Sequence, residues 1–385
     1  MRHALLRSSN QCVMDNLKYY QPILRSHAEP TSPPMLSQAD LGAAVVVRAV
    51  NWLGDNLISM AALYQLRCSL TSEVPLVMLG KVKWQPLWQM ADWLAGSVVF
   101  AGRRADAAAV AELGRWQPGV ALVLPNSLGS AWDVSGRGVP IRIGRAGRGR
   151  RLLLSHCLPA WRAGWRDSHE HQVNHYFDLC EVLRPVKREL PDRPMLKVEE
   201  AMLRQMRTRL DVAGASSRPL LALAPGAAYG PAKQWPAEYY GRVAQHFTRS
   251  GYAIVLVGTA GERELSRVIG GNLDASVNLC GQTTLPELAA CLRLATACLC
   301  NDSGVMHLAA AVGRPGVAVF GSTSARATGP LANNWVVLDG GSEGSPCFQR
   351  RCGRKTDPYA CLRKTTPEAV CRALEWVMGG SENNA

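Results

Sequence analysis

Ala297-Cys298-Leu299-Cys300-Asn301-Asp302-Ser303-Gly304-Val305-Met306-His307-Leu308-Ala309-Ala310-Ala311-Val312 runs from an apolar strand through a polar turn into a helix without a break. Ala297–Cys300 supplies the strand, and the helix over Ser303–Val312 opens on a residue type suited to a first turn. Val317–Phe320 is the next apolar run, and Leu220–Ala224 and Ala253–Val257 precede it. Helical patterns over Pro236–Phe247, Glu262–Gly270 and Leu285–Leu294 fill the gaps, and Pro367–Met378 follows the possible caps Thr365 and Thr366. The first half repeats the pattern. Ala43–Val50 is β-branched and apolar, Asn51–Asp55 forms a turn, and Leu57, Met60, Ala61, Tyr64 and Leu66 recur at helical spacing. Further strands are expected at Leu76–Leu79, Ser97–Ala101, Ala121–Leu124 and Ile141–Ile143. A polar, charge-mixed stretch from Pro185 to Arg218 divides the two series. Such alternation implies parallel sheets covered by helices, hence an α/β protein of two doubly wound domains that bind ligands at the carboxyl ends of their strands.

Composition supports this reading and narrows it. The 385 residues suit two domains at roughly 100–200 residues each. With 47% apolar and 19% charged residues the chain is not a disordered one. Lys and Arg number 43 against 30 Asp and Glu, and the net charge of +13 favours anionic partners: nucleic acid, nucleotide substrates or an anionic membrane. The longest apolar run, Leu288–Cys300, falls short of the ~18 residues of a membrane span and contains Arg293. The start, Met1-Arg2-His3, lacks the apolar core of a secretory signal, so a cytosolic chain with reduced thiols is expected. Cys280, Cys291, Cys298 and Cys300 lie among Ala and Leu, as small buried hydrophobes do. Residues 1–42, with Pro30, Pro33 and Pro34, read as a flexible or loosely docked extension outside the core.

Several segments carry chemistry. Asn301–Gly304 sits at a strand end and a helix start, where backbone N–H groups attract anions; the competing reading is that Asp302 or Ser303 caps the helix. His307, four residues after Ser303, shares its helix face, and a structural role competes there too. Leu223–Ala227 ends a strand in small residues that let a ligand approach the backbone, and Lys233 precedes the helix at Pro236, suited to a diphosphate or simply solvated. No Gly-x4-Gly-Lys-Ser/Thr string occurs. Asp55 occupies the corresponding loop of the first half, as general base or as cap of the helix near Leu57. Between Val134 and Arg166 stand Arg137, Arg142, Arg145, Arg148, Arg150, Arg151, Arg162 and Arg166 with no acidic residue, interleaved with Gly: a basic patch for a phosphorylated substrate or anionic lipid. It lacks the aromatic ladder of a nucleic-acid channel, so no nucleic acid is expected. Cys347, Cys352 and Cys361 lack CxxC spacing and number three, so no metal site is expected.

Four of these strings, taken in order, resemble the ADP-heptose:lipopolysaccharide heptosyltransferase family, glycosyltransferase family 9. They are Asn-Trp-Leu-Gly-Asp at 51–55, Leu-Pro-Asn-Ser at 124–127 with Ser130-Ala131, Pro-Gly-Ala at 225–227 leading to Gly-Pro-Ala-Lys-Gln-Trp-Pro at 230–236, and Asn-Asp-Ser-Gly-Val-Met-His-Leu-Ala-Ala-Ala at 301–311. The Lys233 string resembles the type II branch. The likeness implies a GT-B architecture, two Rossmann-like domains with an interdomain cleft: 43–200 for the acceptor, 201–365 for the nucleotide sugar, and 366–385 as a helix crossing back to the first domain. It implies inverting transfer of heptose from ADP-heptose to the inner-core heptose of Kdo-lipid A, with no cofactor and no metal required. Asp55 matches the family's base. Gly226, Lys233, Glu262, Asp302, Ser303, Gly304 and His307 are implied to hold the nucleotide sugar; for Glu262 a helix-start carboxylate is the alternative. Asn51, Trp52, Asn126, Ser127, Arg142 and Arg145 are implied to meet the lipopolysaccharide acceptor. The implied location is cytoplasmic, peripheral on the anionic inner face of the inner membrane. A type I or III enzyme with another acceptor, or a non-catalytic sugar-nucleotide-binding protein, are the alternatives.

Overall fold

The computed structural model describes residues 17–26, 36–136, 138–160, 170–215, 217–271 and 273–379. Its contacts divide the chain into two units, Ile23–Lys197 and a second made of Met1–Pro22 with Val198–Ala385. Residues 1–16, 27–35 and 380–385, with Arg137, Arg162 and Arg166 of the basic stretch, lie outside the described residues.

The first unit holds a parallel sheet in the order β3-β2-β1-β4-β5-β6. Its strands are β1 (Ala44–Arg48), β2 (Leu76–Lys81), β3 (Gly96–Phe100), β4 (Pro118–Val123), β5 (Ile141–Arg145) and β6 (His156–Leu158). β1 and β4 are buried along their whole length, which is why they read as continuous apolar runs and not as alternation. Helices α1 (Leu53–Ser69), α2 (Gln85–Gln89), α3 (Ala107–Arg115), α4 (Leu128–Trp132) and α5 (Val173–Glu181) flank the sheet. α1 packs on α5.

The second unit repeats the plan in the order β12-β11-β10-β7-β8-β9. The strands are β7 (Leu220–Ala224), β8 (Ala253–Leu256), β9 (Ser276–Asn278), β10 (Ala297–Asn301), β11 (Gly316–Phe320) and β12 (Trp335–Asp339). The helices are α6 (Glu200–Val212), α7 (Ala237–Arg249), α8 (Arg263–Gly270), α9 (Leu285–Leu294), α10 (Gly304–Ala311), α11 (Ala325–Thr328), α12 (Ala360–Arg363) and α13 (Pro367–Gly379). All ten strand pairings of the two sheets are parallel, so each sheet needs a crossover at every step, as the alternation implied.

Two expectations change. The polar, charge-mixed stretch from Pro185 to Arg218, read without a helix of its own, contains α6, which packs on α9 through an apolar face that includes Met206 and Leu210. α13 packs on α7 and on β10, β11 and β12, burying Val370, Ala373, Leu374 and Val377 in the core of the second unit. Part of the leading extension belongs to the cores. Tyr20 donates its N–H to Trp335 O and its hydroxyl to Ala325 O, both at 2.6 Å, and Tyr19 lies 4.3 Å from the Trp376 ring. Arg25 pairs with Asp178 of the first unit at 2.7 Å. Polar and aromatic anchors of this kind carry no periodicity, so the composition of the extension hid them.

Candidate active site

In the second unit the expected donor residues collect where β7, β10 and β11 end beside one another. Asn301 closes β10 and is committed to the fold. Its Oδ1 accepts the Trp235 N–H at 3.0 Å and the Tyr240 hydroxyl at 3.1 Å, while its Nδ2 donates to Pro225 O at 2.7 Å and Gly226 O at 3.2 Å. One buried amide therefore fixes the loop that carries Gly226 and Lys233.

Asp302, 6% exposed, accepts at Oδ2 from Lys233 Nζ at 2.5 Å and from Thr323 Oγ1 at 2.6 Å. Lys233 is thus not the mobile point charge its loop position suggests. It is anchored to Asp302 and lies 4.8 Å from the centre of the Tyr229 ring, with the Arg350 guanidinium 5.2 Å from the same centre. An ammonium has three donors, so the pairing directs the charge without exhausting it.

Ser303 occupies the N-cap of α10 with extended backbone, yet its side chain makes no capping bond and its buried Oγ has no partner among the described residues. Ser322, after β11, has an equally unpartnered buried hydroxyl. The capping alternative for Ser303 thus fails for its hydroxyl, and Asp302 is spent on Lys233 and Thr323. A buried hydroxyl without a partner costs ~1–3 kcal/mol, and at a helix N-terminus an anionic ligand offsets that cost. His307, on α10, is buried; burial pushes its imidazole down to about 4, Asp302 pulling it up and Lys233 down, so it is neutral at pH 7.

Glu262 performs the helix-start role and more. Thr259 donates its N–H to Glu262 Oε2 at 2.6 Å in a capping box. A Cβ on Gly226 would lie 1.8 Å from Glu262 Oε1, so the carboxylate reaches the end of β7 only because position 226 has no side chain.

In the first unit Asp55 stands in the first turn of α1, while the N-cap position belongs to Trp52, which makes no side-chain cap and is 63% exposed. Gln172 of the segment leading into α5 donates Nε2 to Asp55 Oδ1 at 3.3 Å and to the Tyr176 hydroxyl at 3.1 Å. Burial, with the Asp55 charge adding to it, raises the Tyr176 phenol above its ordinary range and keeps it protonated. Asn51 accepts the Trp84 indole N–H at its carbonyl, 3.2 Å away. Ser127 caps α4 through the Ser130 N–H at 3.2 Å, and Asn126 Oδ1 accepts from Arg150 Nη1 at 3.4 Å.

Two expected acceptor residues turn inward. Arg142 donates to the carbonyls of Leu153, Val139 and Pro140 at 2.7, 2.6 and 2.9 Å and braces the β5 strand. Arg145 reaches Asp178 at 2.5 Å, in a cluster with Arg25 and Arg188. Arg142 is half-buried and Arg145 is 2% exposed, so these contacts hold both side chains against the framework of the first unit.

The chain matches the family model for glycosyltransferase family 9 (heptosyltransferase) over residues 108–356, more than half its length. The chain belongs to glycosyltransferase family 9. It is 34% identical over 270 residues to lipooligosaccharide heptosyltransferase 2 of Haemophilus influenzae, covering 68% of this chain and 76% of that protein. It is 35% identical over 226 residues to lipopolysaccharide heptosyltransferase 2 of Salmonella typhimurium, covering 57% and 64%. The solved E. coli ADP-heptose lipopolysaccharide heptosyltransferase II superposes with a TM-score of 0.72 at 25% identity, over 88% of this chain and 99% of that one. This family 9 chain is accordingly a glycosyltransferase of GT-B fold. The family match contains every donor-side residue described above, and Asp55 lies before it.

Thr323 and Gln172 are the residues that sequence reasoning missed in this family 9 site. Thr323 follows a strand already expected at Val317–Phe320, so the rule that ligands lie at carboxyl ends of strands pointed to it. Gln172 had no such signal: it reaches Asp55 across 117 positions of sequence.

Proposed function

We propose that this enzyme transfers L-glycero-D-manno-heptose from ADP-heptose to the inner-core heptose of Kdo-lipid A, with inversion and without a metal ion. The observation that carries the donor side is the unpartnered Ser303 hydroxyl at the start of α10, beside the Lys233–Asp302 pair. The acceptor hydroxyl loses its proton to the Asp55 carboxylate as its oxygen attacks the anomeric carbon. The bond from that carbon to the diphosphate breaks, and ADP leaves with the electron pair. The transition state has oxocarbenium character, as in glycosidases. Lys233, the Ser303 hydroxyl and the N–H groups at Gly304 meet the charge that develops on the diphosphate, fixed in place before the reaction. Glu262, held against Gly226, accepts from hydroxyls of the nucleotide sugar. Gln172 holds Asp55 in orientation. Neutral His307 supports the α10 start without adding charge.

Among the described residues no helix is long and apolar enough to cross a membrane. The lipid-anchored acceptor supports work at the cytoplasmic face of the inner membrane, with peripheral attachment through the first domain. The test is product analysis: ADP-heptose and a heptose-I-terminated Kdo-lipid A acceptor in EDTA should give one added heptose of inverted anomeric configuration. A product only with added divalent metal, or only with a different acceptor, would overturn the corresponding part.

A further inference from the structure

The donor-side residues of the second unit are short of positive charge for a diphosphate. Lys233 is paired with the Asp302 carboxylate, burial keeps His307 neutral at pH 7, and Glu262 adds a second carboxylate. One cation therefore stands against two carboxylates, while a nucleoside diphosphate sugar brings an anion at each phosphate. The leaving oxygen becomes negative as well when its bond to the sugar breaks. Hydroxyls and N–H dipoles orient such a group, but they add no net charge to balance it.

The segment between β12 and α12 brings a further cation to Lys233. It carries Arg350, Arg351, Arg354 and Lys355, all exposed. Phe348 donates its N–H to Ser322 O at 2.7 Å in the loop after β11, the Tyr229 hydroxyl donates to Phe348 O at 2.7 Å, and the Ala232 N–H donates to Arg350 O at 3.1 Å. These bonds fasten Phe348–Arg350 to the loop of Lys233 and to the end of β11. They also hold Phe348 at a φ of +54°, a left-handed conformation that a Cβ disfavours. Gly230, at a φ of +148°, permits the approach, because a Cβ there would lie 2.5 Å from Arg350 O. The Arg350 guanidinium and the Lys233 ammonium consequently share one ring, 5.2 and 4.8 Å from the centre of Tyr229. An aromatic face attracts each of them, but they repel one another, and a bound anion relieves that repulsion. Arg350 has no carboxylate partner among the described residues. Arg354 is engaged elsewhere, donating to Ser342 Oγ at 3.0 Å.

We propose that Arg350 is a further catalytic residue, a second cation that binds the β-phosphate of the nucleotide-sugar donor and takes up the charge that develops there as the bond to the sugar breaks. Its planar fork of donors matches phosphate oxygens two at a time. Tyr229 is the positioning residue: its ring lies against both cations and its hydroxyl holds the Phe348 carbonyl. Arg350 and Lys233 together do what a divalent cation does at a departing phosphate. The proposal rests on the reading of metal-independent transfer from a nucleoside diphosphate sugar, and it adds a residue that this reading does not use.

The test joins acceptor-dependent ADP release in EDTA with calorimetric titration of ADP and of AMP, which lacks the β-phosphate. Arg350→Ala should lose on the order of a hundredfold in kcat. It should bind ADP about tenfold more weakly and AMP as wild type does. Arg350→Lys should recover part of both losses, and added methylguanidinium should raise the turnover of Arg350→Ala, which a merely structural role would not allow. Arg351→Met, which removes the adjacent exposed cation, should match wild type. Because the Arg350 side chain is exposed, Arg350→Ala should melt with wild type. Wild-type kcat and ADP affinity in Arg350→Ala, an equal loss of ADP and AMP affinity, or the same loss in Arg351→Met would each overturn the proposal. A wild type that prefers ADP to AMP yet transfers to no acceptor would count against the heptosyl-transfer reading alone, and loss of that preference in Arg350→Ala would still support the diphosphate contact.

Discussion

The Glu262 carboxylate fills the space where a side chain at Gly226 would stand, 1.8 Å from where its Cβ would be. The donor site is thus built by an absence at the end of β7 as much as by the groups around it. Gly226→Ala must displace Glu262 and break the contact with the Thr259 N–H at 2.6 Å. We expect a KM for ADP-heptose at least tenfold higher and a loss of about 1–2 kcal/mol in stability, of the size seen for lost helix caps. Thermal melts and steady-state kinetics check this together.

Lys233 and Asp302 form a pair largely removed from water, with side chains 14% and 6% exposed. Lys233→Met leaves a buried carboxylate without its cation, which costs on the order of 3 kcal/mol. Adding Asp302→Asn should restore most of that stability and none of the ADP affinity. Calorimetric ADP titration separates the two effects: recovery of affinity in the double variant would mean that Lys233 serves the fold alone.

How far the sequence carried differs between the two halves of the site. The strand–turn–helix at 297–312 displayed its strand end, its anion-binding turn and His307 in one continuous string, because all of these are local. Which polar atoms are already spent is a tertiary property. Arg142 and Arg145 look like ligand-binding cations in a run without acids, but Asp178, whose carboxylate completes the cluster with Arg145, lies 33 positions away. The short edge strands β6, β9 and β12 went unread for a related reason. β6 and β9 are three residues long, partly exposed, and held by pairing more than by an apolar pattern of their own, whereas β12 is the apolar run Trp-Val-Val-Leu-Asp that the sequence reading passed over.

Arg145→Met should therefore damage the fold and not the acceptor KM. Burial raises the Asp178 carboxyl, but Arg188, Arg25 and Arg145 together hold it below its ordinary range. Removing one of three cations should cost about 3 kcal/mol, with the KM for acceptor within threefold of wild type in the folded fraction.

Acid should weaken the protein before its carboxylates protonate. Burial first lowers both His175 and His307 from 6.5 to about 4. A histidine depressed in the folded state binds more protons when unfolded, so stability rises with pH between the two values and is lost as pH falls from about 6.5 towards 4. Each contributes up to roughly 3 kcal/mol across that window. Asp178 acts lower, its share being lost only below the ordinary carboxylate value of 3.8. Denaturant melts at pH 7, 5.5 and 4.5 should show a monotonic fall, and His307→Gln should flatten part of it.

The central claim is that Asp55, oriented by Gln172, removes the acceptor proton in a metal-independent heptosyl transfer. The direct measurement is acceptor-dependent ADP release from ADP-heptose in EDTA, comparing wild type with Asp55→Asn. General-base removal is worth ~10²–10⁴ in rate, so the variant should lose at least a hundredfold in kcat and retain wild-type ADP affinity. Turnover within a few fold of wild type would contradict the account.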